Sequence, residues 1–423
     1  MGKKNILVFP CGSEVAMEIH RSLEVSTHFN LIGGNSIDDH GRFVFHKYIG
    51  GLPFVNAKNF IPAIKEIISE YSIDAIYPAM DSVVAELKKN EAELGCKIIS
   101  SEINTTEICL SKSKTYEKLK GIVEVPLLYT SIGKVKDFPV FIKPDVGYGS
   151  RGVCKANNKE EAQFHLSNNA NSIILQYLPG REYTVDCFTN FRGELLFVGQ
   201  RERKRIANGI SVNTSTMGAS KEVTKMAESI NAAIKFNGAW FFQVKEATDG
   251  QLVLMEVASR IAGSSSVYRA KGVNFALLSL FNAFEIPVEI MVNDYEVELD
   301  RVLSNNYKIN IDFNYVYVDL DDTIIIDGKV NARLILAIYH FRNSGKKVIL
   351  ISKHEFPIYE TLQRFRLDNL FDEIIQLKKQ DEKWKKLLNK DAIFIDDSFA
   401  ERKEIKKYTG IPVFSVDMVE ALI

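Results

Sequence analysis

Ala239-Trp-Phe-Phe-Gln243-Val-Lys-Glu-Ala-Thr-Asp249-Gly250-Gln251-Leu-Val-Leu-Met-Glu256-Val-Ala-Ser-Arg260 reads as a β-hairpin. Two apolar segments flank Asp249-Gly250, a favoured two-residue hairpin turn. Such a turn sets Gln243 directly opposite Glu256. Cross-strand neighbours have Cβ atoms about 5 Å apart. Two oxygen-bearing side chains thus meet on one face of an apolar hairpin. They suit a hard cation bound to nucleotide phosphates. The competing reading is a plain polar cross-strand pair.

Upstream, Phe138-Pro-Val-Phe-Ile-Lys143-Pro-Asp-Val-Gly147-Tyr-Gly149-Ser150-Arg-Gly152-Val-Cys-Lys is an apolar strand, a glycine-rich loop and a second strand. Glycines let backbone amides approach phosphate oxygens, and Lys143 neutralises their charge. A strand follows the loop, so it is neither a Walker loop nor a dinucleotide fingerprint. A mobile hairpin is the alternative for the loop alone. Ile6-Leu-Val-Phe followed by Gly12-Ser13 and Glu14-Val-Ala-Met-Glu-Ile reads as strand, turn and helix. Asp74-Ala-Ile-Tyr-Pro78-Ala-Met-Asp81 ends another strand, with Asp81 either facing substrate or capping a helix. Arg201, Arg203 and Arg205 share one face if their segment is a strand. They suit a carboxylate or phosphate, or else form a solvated edge.

Together these motifs resemble the ATP-grasp superfamily, in particular its carbamoyl-phosphate synthetase and biotin carboxylase branch, over about residues 1 to 290. The resemblance implies ATP and Mg²⁺ as cofactors. It implies Lys112, with Lys114 as rival, and Lys143 as the nucleotide lysines. Gly147, Gly149, Ser150 and Gly152 would form the phosphate loop. Gln176, Tyr177 and Leu178 match the hinge beside adenine, and Glu182 the ribose ligand. Gln243 and Glu256 match Mg²⁺ ligands, and Arg260 the arginine that stabilises the transferred phosphate. Two positions depart from the pattern. Ala258 stands where an Asn ligand is common, and Ser111 where an aspartate often precedes the first lysine.

A second signal lies near the C-terminus. Tyr315-Val-Tyr-Val-Asp319-Leu-Asp321-Asp322-Thr323 and Ala392-Ile-Phe-Ile-Asp396-Asp397-Ser398 are apolar strands that stop at carboxylates. Strands ending together deliver side chains to one crevice, where a divalent cation relieves the repulsion. Lys347-Val-Ile-Leu-Ile-Ser352 ends in a hydroxyl, and Lys383 opens a helix before the last strand. This order resembles the haloacid dehalogenase (HAD) phosphatases over about residues 312 to 423. The resemblance implies Asp319 as nucleophile and Asp321 as general acid, then base. Ser352 and Lys383 would hold the phosphate, with Lys378 and Lys379 as rivals of Lys383. Asp319, the Asp321 carbonyl and Asp396 would hold Mg²⁺. The short span from Thr323 to Gly345 leaves no room for a large cap, so the site should be open.

The chain has 423 residues, 46% hydrophobic and 25% charged, which suits an enzyme of two to four domains. A net charge of −1 gives no global field for nucleic acid or membrane. Five scattered cysteines without Cys-x-x-Cys read as reduced packing residues in a cytoplasmic protein. Seven histidines show no metal-ligand spacing. The fold expectation is multidomain α/β and α+β. A Rossmann-like α/β domain spans 1–103, an ATP-grasp domain 104–290, a connection 291–311 and a doubly wound HAD-like domain without a large cap 312–423. The functional expectation is a bifunctional enzyme: an ADP-forming ligase acting on a small carboxylate and an amine-type nucleophile, fused to a phosphatase of a phosphorylated small molecule. A nucleotide-sensing module that regulates the phosphatase and an ATP-dependent small-molecule kinase are the alternatives. Oligomeric state is unreadable from the sequence.

Overall fold

The computed structural model describes residues 2–147, 149, 151–169 and 171–423. They divide into two compact units, with the boundary in sequence between Ser304 and Asn305. Among the described residues, the first unit holds three sheets and the second a five-stranded sheet with a small hairpin.

The first sheet is parallel, in the order Tyr48–Ile49, Phe29–Gly34, Lys4–Phe9, Ala75–Pro78, Lys97–Ile98. Its central strand is apolar and buried from Ile6 to Phe9, because both faces are covered there. Ile6 and Val8 enter one core cluster, and Leu7 and Phe9 another. A four-stranded antiparallel sheet follows, in the order Leu128–Tyr129, Ser172–Gln176, Val140–Pro144, Cys154–Ala156. The six-stranded antiparallel sheet runs Leu252–Ala258, Gly238–Glu246, Glu182–Thr189, Leu195–Ala207, Ile210–Met217, Glu298–Asp300. Trp240, Phe242 and Val244 pack beneath the helix Lys221–Ala233. Gln243 lies on the opposite face by strand alternation.

The hairpin turn differs from the sequence expectation. Ala247 N donates to Gln251 O at 2.9 Å, and Glu246 pairs with Leu252. The loop therefore has three residues, Thr248–Gly250, with Gly250 in the left-handed region at φ 86°. This slips the register by one residue. A β-bulge between Gln243 and Val244, with Met255 as the extra residue, slips it back. Gln243 and Glu256 are opposite each other after all, through two departures that cancel.

The expected connection 291–311 is also revised. Glu298–Asp300 pairs with Asn213–Ser215 as a sixth strand. The backbone hydrogen bonds of that edge carry the first unit beyond residue 290.

The second unit has a wholly parallel sheet in the order Glu373–Gln376, Lys347–Ser352, Tyr315–Val318, Ala392–Ile395, Val413–Phe414. Ala392–Ile395 is thus followed by one more strand than the sequence suggested. Asn331 caps the helix Ala332–Asn343. A two-stranded hairpin, Ile325–Ile326 with Lys329–Val330, fills the short span after Thr323. The helix expected to open at Lys383 is a 3₁₀ turn, Lys383–Lys386. Trp384 and Leu387 both pack on the sheet core. Side chains three apart eclipse in a 3₁₀ turn, which brings both to the same face. Among the described residues no helix is long and apolar enough to cross a membrane.

Candidate functional site

In the first unit three adjoining clefts lie over the free face of the hairpin. An apolar slot of ≈ 50 Å³ is lined by Tyr116, Phe141, Leu175, Gln176, Tyr177 and Leu178. A cleft of ≈ 180 Å³ follows, lined by Lys112, Lys143, Gly147, Gly149, Glu182, Gln243 and Glu256. An outer cleft of ≈ 290 Å³ shares Lys112, Gln243 and Glu256 and adds Asp81, Arg260, Arg201 and Ser264. The order is apolar, then cationic, then mixed.

Lys143 ends its strand buried, 7% exposed. Its Nζ donates to the carbonyl of Met255 at 3.0 Å. Tyr116 Oη donates to the same carbonyl at 2.6 Å. The bulge accounts for this carbonyl, since the extra residue of a bulge is left out of the ladder. Burial pushes the Lys143 ammonium down to about 8, against the pull of Glu256. Lys112 Nζ donates to the carbonyls of Asp145 at 3.3 Å and Gly147 at 3.4 Å. Ser111 caps the helix Lys112–Leu119 and donates to Asp145 at 2.7 Å. Ser111 thus acts as cap while Lys112 faces the cleft, and Lys114 is exposed. Tyr116, one helical turn beyond Lys112, was not singled out in the sequence, although the spacing is that of one helix face.

Gly147 and Gly149 line the clefts, and Gly149 has φ 63°. Ser150 lies outside the described residues. Gly152, expected in the phosphate loop, does not line these clefts. It is a turn residue with φ 70°, and its carbonyl lies 3.0 Å from His165 Nε2. Glu182 lines the cleft but already accepts from Arg203 Nη1 at 2.5 Å. Arg201 is buried against Asp186 at 2.6 Å. The expected row of three arginines breaks at a bulge between Glu202 and Arg205. Arg201 and Arg203 line the outer cleft, whereas Arg205 turns to Asp300 at 2.8 Å. Arg260 donates twice to Asp81, at 2.9 and 2.7 Å. Asp81 is the first helical residue of Asp81–Lys89 rather than its cap, which frees its carboxylate for that fork. Ala258 is buried and offers no ligand atom.

In the second unit the carboxyl edge gathers the acidic motifs. Lys383 Nζ lies 2.7 Å from Asp319 Oδ1 and 2.6 Å from Asp396 Oδ2, and all three are buried. Lys379 is exposed and 3.9 Å from Glu355, and Lys378 is also exposed. Of the three lysines, Lys383 is the one that reaches the buried carboxylates. Ser352, 1% exposed, adds a hydroxyl hydrogen bond to Asp319. Burial raises the Asp319 carboxyl above the usual carboxylate range despite Lys383. Burial raises Asp396 likewise. Among the described residues, Lys383 is the cation that pairs with both of these buried carboxylates. Among the described residues, Asp319, Asp396 and Asp397 bring carboxylate oxygens within 4.8 Å of one another. Hard oxygen donors so placed fit a divalent cation. Asp397 was not chosen as a ligand from the sequence, although it stands in the quoted motif. Thr323 ties it in place, accepting from Asp397 N at 3.0 Å. The Asp321 carboxylate is not in that group. It is half exposed and 2.9 Å from His354 Nδ1.

The first unit is similar to ATP-grasp proteins. A model for "ATP-grasp in the biosynthetic pathway with Ter operon" matches residues 168–302. A D-alanine–D-alanine ligase of Fusobacterium nucleatum is 30% identical over 156 residues, 34% of this chain and 54% of the relative. The corresponding ligase of Thermotoga maritima is 30% identical over 158 residues, 34% of this chain and 51% of the relative. The chain thus spans about half the length of these relatives. Among solved structures, the biotin carboxylase domain of Hydrogenobacter thermophilus 2-oxoglutarate carboxylase, in complex with MgADP, ADP and bicarbonate, aligns with a TM-score of 0.58 at 16% identity. It covers 69% of this chain and 72% of that one. An L-amino acid ligase of Bacillus licheniformis aligns with a TM-score of 0.56 at 18% identity, covering 68% and 76%.

Proposed function

We propose that the first unit is an ATP-dependent, ADP-forming ligase. The observation that supports it most is the convergence of Lys112, Lys143, Gln243, Glu256 and the Asp81–Arg260 pair on one run of clefts. Adenine would occupy the apolar slot, with the triphosphate passing Lys143 and Lys112 toward Arg260. A carboxylate oxygen attacks the γ-phosphorus as the bond to the β-γ bridging oxygen breaks. The products are ADP and an acyl phosphate. An amine then attacks the acyl carbon, phosphate leaves, and the amine loses a proton. Lysines and arginine neutralise the charge spread over the transferred group. Gln243 and Glu256 are the oxygen donors that would hold Mg²⁺, which when bound neutralises phosphate charge. The amino-acid ligases among the similar proteins favour a small amino acid as one substrate. ADP and phosphate release, measured against a panel of amino acids and carboxylates, tests this. Release without a joined product would favour the sensing or kinase reading, to which Ala258 lends weight.

The second unit is read as a Mg²⁺-dependent phosphohydrolase. Lys383 between Asp319 and Asp396, beside Asp397, is the supporting geometry. Asp319, the Asp321 carbonyl and Asp396 would hold the ion. Asp319 attacks the phosphorus of an ester, the ester oxygen leaves with a proton from Asp321, and water later releases the phosphate. Asp319→Asn should abolish turnover of an aryl phosphate and leave ATP binding intact. Hydrolysis at the normal rate by that variant would remove this reading.

A further inference from the structure

Asp321 stands at the mouth of the second crevice with its carboxylate half exposed. A carboxyl that must hand a proton to a leaving oxygen has to be aimed. A solvated carboxylate on a rotatable stem is not aimed by itself. His354 supplies the missing constraint. Its Nδ1 is 2.9 Å from both Asp321 oxygens. Its Nε2 is 2.8 Å from Thr361 Oγ1, on the helix Ile358–Arg364. The imidazole is 9% exposed although its partner faces solvent.

The backbone carrying His354 is fixed as well. It follows Ser352, the end of a central strand, by two residues. Gln376, at the end of the neighbouring strand, donates through Nε2 to the carbonyls of His354 at 2.9 Å and Phe356 at 2.7 Å. Its Oε1 accepts from Ile358 N at 3.3 Å. Lys353 pairs with Glu401 at 2.6 Å. The Phe356 ring stands edge-on to the imidazole at 5.7 Å. Two strands, a helix and an ion pair therefore hold one ring in one orientation. With its proton on Nδ1, the imidazole donates to an Asp321 oxygen whether that carboxyl is protonated or ionised, and Nε2 is left to accept from the Thr361 hydroxyl.

We infer that His354 is a positioning residue for Asp321, gripping its carboxyl so that it delivers a proton to the leaving oxygen. The inference rests on the phosphohydrolase reading above. As the bond between phosphorus and the ester oxygen breaks and the Asp319 oxygen bonds to phosphorus, the Asp321 proton moves to the departing oxygen. Asp321 is left as the carboxylate that the Nδ1 proton supports. It then takes a proton from the water that attacks the phosphoenzyme.

The test uses the full chain with Mg²⁺ and aryl phosphates graded from phenyl to dinitrophenyl. A proton donor matters for a poor leaving group and hardly at all for a good one. His354→Ala should lower kcat about 10- to 100-fold for phenyl phosphate, within the usual range for proton-transfer catalysis. It should change dinitrophenyl phosphate hydrolysis less than about threefold, with KM steady. His354→Asn, whose amide can donate near the Nδ1 position, should recover much of the loss. Thr361→Val, which keeps the ring and removes its anchor, should show a smaller effect of the same form. Equal losses across the series, or none, would overturn the inference. A second readout is free of turnover: nitrogen-15 NMR of the histidines should find Nδ1 of His354 protonated, with signals that move in Asp321→Asn. An unprotonated Nδ1 would refute the proposed grip. Failure of the underlying reading looks different, because then Asp319→Asn itself would still hydrolyse the esters.

Discussion

Lys143 shows how one residue joins packing to function. Its stem is buried and its ammonium is pushed down to about 8 by burial. In the proposed role the charged form would bind phosphate, and that form is lost as pH rises through about 8. Nucleotide affinity, read by calorimetry, should therefore fall between about pH 7 and 9 and be flat in Lys143→Arg. Lys143→Ala should cost about 1.5–3 kcal/mol at pH 7, the usual worth of a charge-assisted hydrogen bond. Lys383 makes the complementary case. Its removal leaves Asp319 and Asp396 buried without a cation. Breaking a buried ion pair in this way typically costs about 3–5 kcal/mol. Urea unfolding of Lys383→Met in the absence of Mg²⁺ should show a loss of that size, and added Mg²⁺ should restore part of it. Residue types at strand ends made Lys143, Asp319 and Asp396 legible in the sequence. The choice of Lys383 over Lys378 and Lys379 was not, because it depends on which side chain enters the crevice.

The hairpin carries its lesson at the scale of the element. Asp249-Gly250 announced a turn, and alternation announced which side chains would face the core. The loop has one more residue than expected, and the bulge at Met255 restores the pairing of Gln243 with Glu256. The bulge also frees the carbonyl that takes Lys143 and Tyr116. Deleting Met255 should give a regular ladder that keeps Gln243 opposite Glu256 and keeps Leu254 in the core. Thermal unfolding should then shift by only a few degrees, about what 1 kcal/mol does in a chain of this size. Nucleotide affinity should drop at least about tenfold, the equivalent of 1.4 kcal/mol. Unchanged affinity would mean that the bulge has no part in the site. The row of arginines failed at the same scale, because a second bulge turns Arg205 away. Neither bulge has a glycine or proline to mark it.

At the scale of the molecule, each unit has its own apolar core. Val316, Val318, Leu350 and Ile395 centre the second, while Ile6, Val8, Tyr268 and Phe275 belong to the first. Fragments 1–304 and 305–423 should each fold, with cooperative thermal transitions by circular dichroism. The first should keep nucleotide binding and the second aryl phosphate hydrolysis. A cut at residue 290 should weaken the first fragment, because it removes the strand Glu298–Asp300 and uncovers the sheet edge at Asn213–Ser215. An unfolded 305–423 fragment would contradict the independence of the two cores.

The sequence alone determined where strands end in charged and glycine-rich motifs, and through them the resemblance of the first unit to ATP-grasp proteins. Local patterns suffice there, because apolar alternation and turn chemistry act over a few residues. Tertiary structure alone decided which charges face one another. Asp81 with Arg260 and Arg269 with Glu18 are joined across 179 and 251 residues. Asp321 with His354 and Lys383 with Asp319 are joined across 33 and 64. No local signal records such pairs, since each depends on the fold bringing distant strand and helix ends to one edge.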